Sequence, residues 1–258
     1  MSKCPNPFTL LPIDIHLALY LEKVSWNCHE VIHPAWFLFW NPTPGAQIIC
    51  GNTRYDVTPE HAFLIPAYTT ISAFSDGIFP HLYTHFTAGS PFDRVEKKIY
   101  RLDPEPAERF YKNFLHTTGV KNMLHWHIMI MEYLTRLPDE AFSHNTPMDE
   151  RITKALHAAE KLKHVNNTTL AKAAGMSVNN FCRVFRNTLK ISPKRFFISM
   201  RLNRARTMLV NGGYSINEAA QLCGFADRYQ FSKSFKEYFG IAPGAFSRQQ
   251  RNSVFEKN

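Results

Sequence analysis

Between Ser215 and Phe246 the apolar positions fall in two helical stripes. Ile216, Ala219, Ala220 and Cys223 stand at i, i+3, i+4 and i+7. Ser215 precedes them with Glu218 three positions on, the spacing of a capping box. Gly224 follows as a helix-ending glycine does, and Asp227 can cap what comes next. The second stripe is Phe231, Phe235, Tyr238 and Phe239, closed by Gly240. Two short helices about a glycine turn make a helix-turn-helix. Away from its aromatic side the second helix carries Arg228, Tyr229, Ser232, Lys233 and Lys236.

A looser version of the phrase lies earlier in the chain. Phe181, Phe185, Ile191, Pro193 and Phe196 recur fifty positions on as Phe231, Phe235, Ile241, Pro243 and Phe246. Gly175 recurs as Gly224, one position short, so the two turns differ by one residue. This is an internal duplication. In the first copy Ser177 is the cap, Asn179, Cys182 and Arg183 take the outward face near the helix start, and Arg186 and Lys190 follow. Between the copies, Ser192 to Gly212 predicts a connecting helix opened by Pro193. About 19 residues at 1.5 Å each span roughly 28 Å. That is close to the roughly 34 Å between successive major-groove faces of DNA, so the two second helices suit adjacent grooves. Arginine and lysine at the helix start can donate to guanine edges, whereas Lys236 and Arg186 sit further along, towards phosphate.

Residues 10–90 follow a different rhythm: short alternating runs broken by Pro, Gly and Asn. Turns are expected at Pro42–Gly45, Gly51–Asn52 and Pro59–Glu60, with strands between them and a further strand at "PHLYTHFTA". Strands at this spacing predict a sandwich or barrel. Residues 104–136 predict a helical hairpin broken at Thr117–Val120, with Phe110, Phe114, Leu124, Ile128, Met131 and Leu134 on its apolar faces.

Charge separates the two halves. Residues 1–148 hold 11 Lys and Arg against 14 Asp and Glu, whereas residues 149–258 hold 19 against 7. A net +12 half joined to a net −3 half fits a polyanion-binding domain beside a neutral one. The 258 residues, 45% hydrophobic, suffice for two ordinary domains. No run of eighteen apolar residues occurs, which argues against a membrane helix. Pro12, Asp14 and His16 interrupt the N-terminal stretch, which reads poorly as a signal peptide. Cys4, Cys28, Cys50, Cys182 and Cys223 are odd in number and widely spaced, which suits reduced thiols in a cytoplasm better than a disulfide framework or a CxxC zinc site.

The phrase "INEAAQLCGFADRYQFSKSFKEYFGIAPGAFSRQQR", with its small residues, GF turn, FSKxFK and G-x-x-P, resembles the signature of the AraC/XylS family of bacterial transcription regulators. The resemblance covers residues 149–250. It implies a seven-helix DNA-binding domain whose base-facing residues fall on Asn179, Cys182, Arg183, Arg228, Tyr229, Ser232 and Lys233. It also implies a cupin-like barrel ahead of that domain. The glycine before a strand, "YDVTPEHAFLIPAYT" and the late strand ending His-Phe are similar to one. In the family the helical hairpin packs on the barrel and often pairs two subunits, and a plain core role is as consistent with these residues.

The expected architecture is therefore a cupin-like all-β barrel with a helical hairpin over residues 1–138, a linker over 139–150, and an all-α DNA-binding domain over 151–252 with helix-turn-helix units at 169–190 and 216–239. Trp36, Phe37, Phe39, Trp40, Tyr68, His81, Tyr83 and His85 are candidates to line a barrel pocket, and alternation puts His81, Tyr83 and His85 on one face. Aromatic faces with His and Tyr suit a carbohydrate or related metabolite. Each residue taken singly is more readily a core aromatic or a buried, hydrogen-bonded histidine. His81 and His85 with His61 or Glu60 lack the His-x-His pair of a metallo-cupin, and His125 and His127 on a helix point apart. No cofactor, catalytic residue or metal is assigned. The expected function is a cytoplasmic, homodimeric, sequence-specific regulator of double-stranded DNA. It is expected to be an activator working with RNA polymerase under a small-molecule effector, and not an enzyme. The alternatives are a regulator controlled by a protein partner or not at all, and a metal-dependent cupin enzyme fused to a DNA-binding domain.

Overall fold

The alternating runs fold into nine strands in two antiparallel sheets. The structure is a computed structural model and describes residues 12–142, 149–161, 166–189, 191–210, 213–239 and 241–248. Cys4 and the N-terminal stretch, residues 143–148 of the expected linker, Lys190, Gly212, Gly240 and residues 249–252 lie outside the described residues. The strands are β1 (Ile13–Val24), β2 (Asn27–Val31), β3 (Trp36–Trp40), β4 (Ala46–Cys50), β5 (Thr53–Val57), β6 (Ala62–Ile65), β7 (Ile71–Ser75), β8 (Phe79–Ala88) and β9 (Tyr100–Leu102). One sheet runs β1-β8-β3-β6-β9 and the other β2-β7-β4-β5. The anticipated turns separate β3 from β4, β4 from β5 and β5 from β6. Gly45 and Gly51 take positive φ there, 123° and 58°, a region open to a residue without Cβ.

Alternation decides what each strand gives to which layer. On β3, Phe37 and Phe39 face the space between the sheets, where they meet Leu21, Ile48, Phe63 and Tyr83. Trp36, Leu38 and Trp40 face the other way, into a core shared with α1 (Glu105–Asn113) and α2 (Gly119–Thr135). The hairpin breaks near where the sequence suggests, with Gly119 at φ 63° opening α2. Tyr133 locks it: its hydroxyl accepts from the Ala107 amide at 3.1 Å. The sequence placed Leu124, Ile128 and Met131 on the packed faces. The packed residues of α2 are instead Trp126, Met129, Ile130, Tyr133 and Leu134. Leu124, Ile128 and Met131 lie together on the exposed side, each about half exposed at 50–52%.

The C-terminal half is all-α: α3 (Glu150–Lys161), α4 (Asn167–Ala173), α5 (Val178–Leu189), α6 (Pro193–Val210), α7 (Ile216–Leu222), α8 (Arg228–Phe239) and a helical segment at 243–248. The duplication is visible atom by atom. After α4 the amides of Gly175 and Met176 return to the carbonyls of Lys172 and Ala171. After α7 those of Gly224 and Phe225 return to Gln221 and Ala220. Both are Schellman closures, with the glycines at φ 65° and 76°. Ser215 and Glu218 form the reciprocal capping box on α7. Phe181, Phe185 and Phe196 fill one unit's core and Phe231, Phe235 and Phe246 the other's.

Candidate functional site

Two surfaces gather the candidate residues. The first is the outward side of α5 and α8, the second helices of the two units. On α8, Arg228, Lys233 and Lys236 are exposed, Ser232 is half-buried and Tyr229 is 80% exposed. Asp227 caps the helix by accepting from the Gln230 amide at 2.7 Å. No acidic residue lies in the first turn of either helix. Among the described residues Arg228, Lys233 and Lys236 have no ion-pair partner, so their charge is free for an anion. On α5, Asn179, Arg183 and Arg186 are exposed. Arg183 donates to Asn180 Oδ1 at 2.9 Å, and the half-buried Cys182 Sγ lies 3.6 Å from Asn167 Nδ2. The first helix therefore presents a more restrained face than the second.

The second surface is internal. A cavity of about 160 Å³ opens between the two sheets and is closed by the helical domain. Its barrel walls include Leu21, Trp26, Phe37, Phe39, Ile48 and Ile71, and Asn203, Arg206, Phe239, Ile241 and Phe246 cover it. Along β8, His81, Tyr83 and His85 point into it, as their alternation predicts. His81 donates through Nδ1 to the buried Asn41 Oδ1 at 2.7 Å and stacks on Tyr83 at 4.6 Å. The His33 ring lies 4.8 Å from that of His85. Burial first, and the Arg206 guanidinium second, hold these imidazoles neutral: His33 and His81 are pushed down to about 3, and His85 is well below its ordinary value. Burial likewise raises the Cys28 thiol to about 11.

Arg206 belongs to α6 but serves this cavity. Its Nη2 donates to the Tyr83 hydroxyl at 2.8 Å, and the guanidinium lies over the Tyr83 and Phe239 rings at 5.2 and 5.6 Å. None of the residues lining the cavity is acidic. Among the described residues Arg206 has no ion-pair partner, so its charge is uncompensated there.

Around the cavity the barrel is tied to both helical units. Ile32, between β2 and β3, is fully buried in the core of the first unit. Its carbonyl accepts from Ser199 Oγ on α6 at 3.1 Å and from the Tyr238 hydroxyl on α8 at 3.0 Å. Arg195 pairs with Glu30 and donates to the His29 carbonyl at 3.3 Å. Among the described residues the non-glycine positions at positive φ are Glu30 (46°) and Tyr68 (64°), and both lie at this junction. Such conformations persist where surrounding contacts over-determine them.

Three of the eight residues expected to line the effector pocket, Trp36, Trp40 and Tyr68, lie elsewhere. Trp36 is buried beneath the hairpin helices. Trp40 also faces that core, and its Nε1 donates to the Pro59 carbonyl at 2.8 Å. Tyr68 packs its ring 5.9 Å from Phe196 in the first unit. Nothing in the run of residues marks which β3 face is the interior, since both faces are aromatic. The sequence also left Arg206 as one of several arginines on a connecting helix. Among the described residues no group of three His, Cys, Asp or Glu side chains comes together for a metal.

Residues 170–249 match the model of a helix-turn-helix domain family. Over 99 residues the chain is 37% identical to the HTH-type transcriptional regulator GbdR of Pseudomonas aeruginosa, and over 84 residues 33% identical to the Msm operon regulatory protein of Streptococcus mutans. The C-terminal domain is of the AraC/XylS type. These matches take in 38% and 33% of this chain but 27% and 30% of those regulators' own lengths. A longer alignment, 22% identical over 206 residues, covers 80% of the chain and 64% of an uncharacterised HTH-type regulator of Haemophilus influenzae. The whole architecture superposes on ToxT of Vibrio cholerae, solved with a bound unsaturated fatty acid. The TM-score is 0.67 at 13% identity, over 93% of this chain and 95% of ToxT. At that identity the likeness is one of fold. In it the AraC-type domain follows a β-sheet domain as it does here.

Proposed function

We propose that the chain is a sequence-specific DNA-binding transcription regulator whose effector occupies the cavity beneath Arg206. The AraC-type domain, with its unpaired basic residues on α8, supports the DNA half of this reading. Arg206 carries the other half. It stands on the helix joining the two DNA-reading units, yet its guanidinium closes a pocket in the barrel. A ligand anion held there would touch both domains at once. It would favour whichever arrangement offers that contact, as differential affinity requires.

The lining points to the ligand's class. Apolar walls and one cation, with His81, Tyr83, Thr84 and Asn203 already hydrogen-bonded, suit an apolar body with a single anionic head. A sugar's hydroxyls would find few free partners there. The fatty acid bound to ToxT has that chemistry. No metal or catalytic group enters this reading, which is of a regulator and not an enzyme. An activator would also meet RNA polymerase.

A homodimer is part of the reading. The exposed side of α2 carries Val120, Met123, Leu124, Ile128 and Met131, which repeat at helical spacing. This stripe suits the same stripe on a second copy. Ile128→Lys should shift the sedimenting species from dimer to monomer, and a wild-type monomer at micromolar concentration would refute the pairing.

The decisive experiment is a thermal-shift series of long-chain fatty acids, sugars and sugar acids against the purified chain. A ligand at a hundred times its dissociation constant stabilises by about 2.7 kcal/mol. Fatty acids should raise the melting temperature of the wild type and not of Arg206→Ala. If no anionic amphiphile stabilises the wild type, the effector reading fails.

A further inference from the structure

Beside α8 the barrel reaches the flank of the helix that reads DNA. β2 is an edge strand of its sheet, paired on one side with β7, and it packs against α8. Its alternation turns Trp26 and Cys28 towards the cavity and leaves Asn27 and His29 exposed. The strand is held in place. The His29 ring rests against Phe74 at 4.8 Å, Glu30 pairs with Arg195, and the Ile32 carbonyl takes the Tyr238 hydroxyl. Asn27, His29, Lys233, Lys236 and Glu237 together line an open cleft of about 320 Å³. None of its two lysines and one glutamate has an ion-pair partner among the described residues.

A helix about 10–12 Å across nearly fills a major groove about 12 Å wide. The sugar–phosphate walls of the groove therefore pass close along both flanks of α8, and one flank is where β2 lies. We propose that Asn27 and His29 of the barrel, with Lys233 and Lys236, hold a phosphate of the DNA backbone beside the second unit's half-site. The proposal rests on the DNA-binding reading above. Two ammonium groups, an imidazole and an amide outweigh the one carboxylate of Glu237, and phosphate is the anion that donors of this kind take along DNA. The first unit meets the barrel differently. Thr188 and Leu189, at the far end of α5 from its base-facing residues, line a separate cleft with Glu30, Tyr68 and Lys97. The sensor domain would then belong to the DNA contact of one unit only, and anything that moves β2 would change operator affinity directly.

The test uses the full chain and DNA that it selects itself from a random-sequence pool. Asn27→Ala/His29→Ala should melt close to the wild type, losing the single His29–Phe74 ring contact, and bind the selected DNA about tenfold more weakly through loss of two phosphate donors. Hydroxyl-radical protection should disappear beside the second half-site alone. Asn27→Lys/His29→Lys should bind more tightly, with the slope of log affinity against log salt steeper by up to about 0.9 per added phosphate contact. Unchanged affinity and footprint in the alanine variant would overturn the proposal. So would tighter binding, which would mean that β2 obstructs the groove wall. A wild type with no salt-sensitive, selective binding would sink the DNA-binding reading itself, and this inference with it.

Discussion

The two helix-turn-helix units are near copies in their cores and unlike at their edges. Phe181, Phe185 and Phe196 match Phe231, Phe235 and Phe246, and both first helices end in the same Schellman closure. The second turn has one residue more between its glycine and its cap, Gly224 to Asp227 against Gly175 to Ser177. The outward faces diverge too. Asn179, Cys182 and Arg183 stand where the second unit has Tyr229, Ser232 and Lys233. Position 188 is a threonine whose hydroxyl bonds within its own helix, to the Val184 carbonyl. Its counterpart Tyr238 reaches out to the barrel. A duplicated fold keeps what local folding needs and varies what partners need. Here the varied positions in the second copy face the barrel on one side and, in the proposed reading, a DNA groove on the other.

The equivalence of the cores is the strongest claim to break. Phe181→Ala and Phe231→Ala each empty a fully buried site and should each cost about 3–5 kcal/mol. Chemical denaturation of the two variants should give matching losses. A unit that tolerates the change would show that its core is not equivalent to its copy's. A smaller effect separates the DNA faces. Arg228→Ala should cost about 1–3 kcal/mol of discrimination at one base pair, as loss of a bidentate arginine contact does. Cys182→Ala should cost little, since the thiol is half-buried. Fluorescence anisotropy on the selected DNA and its single-base variants would check both, and an equal loss from Cys182→Ala would give the first unit an equal share in readout.

A third contrast between the two units is expected in acid. His33, His81 and His85 have folded values below their ordinary value near 6.5, so their contribution is complete above that pH. For His33 and His81 it is lost as pH falls from about 6.5 towards about 3, by at most about 1.4 kcal/mol per pH unit for each. The cavity that His81 and His85 line is roofed by Phe239, Ile241 and Phe246 of the second unit. Hydrogen exchange at pH 5 should therefore rise in α8 before α5, and His81→Gln should reduce that difference. Equal exchange in both helices would detach the histidines from the second unit.

Much of this was legible because it is local. A capping box, a C′ glycine and a 3.6-residue apolar period act within one or two turns, so Ser215, Glu218, Gly175 and Gly224 announced their roles from sequence alone. Strand boundaries at Gly45, Gly51 and Pro59 were equally plain, as was the common face of His81, Tyr83 and His85. The basic face of α8 followed from its aromatic stripe by subtraction.

What joins the halves was not local. Period 2 assigns Trp36, Leu38 and Trp40 to one face and Phe37 and Phe39 to the other. When both faces are aromatic, only the packing of α1 and α2 decides which one is the interior. Arg206 meets Tyr83 across 123 positions and Tyr238 meets Ile32 across 206. Contacts at such separation leave no periodic trace, because they depend on how two finished domains sit together. The sequence by itself determined the two units, the barrel and the basic outward face of α8. Tertiary structure alone decided that one arginine of the connecting helix closes the barrel cavity, and that β2 lies beside α8.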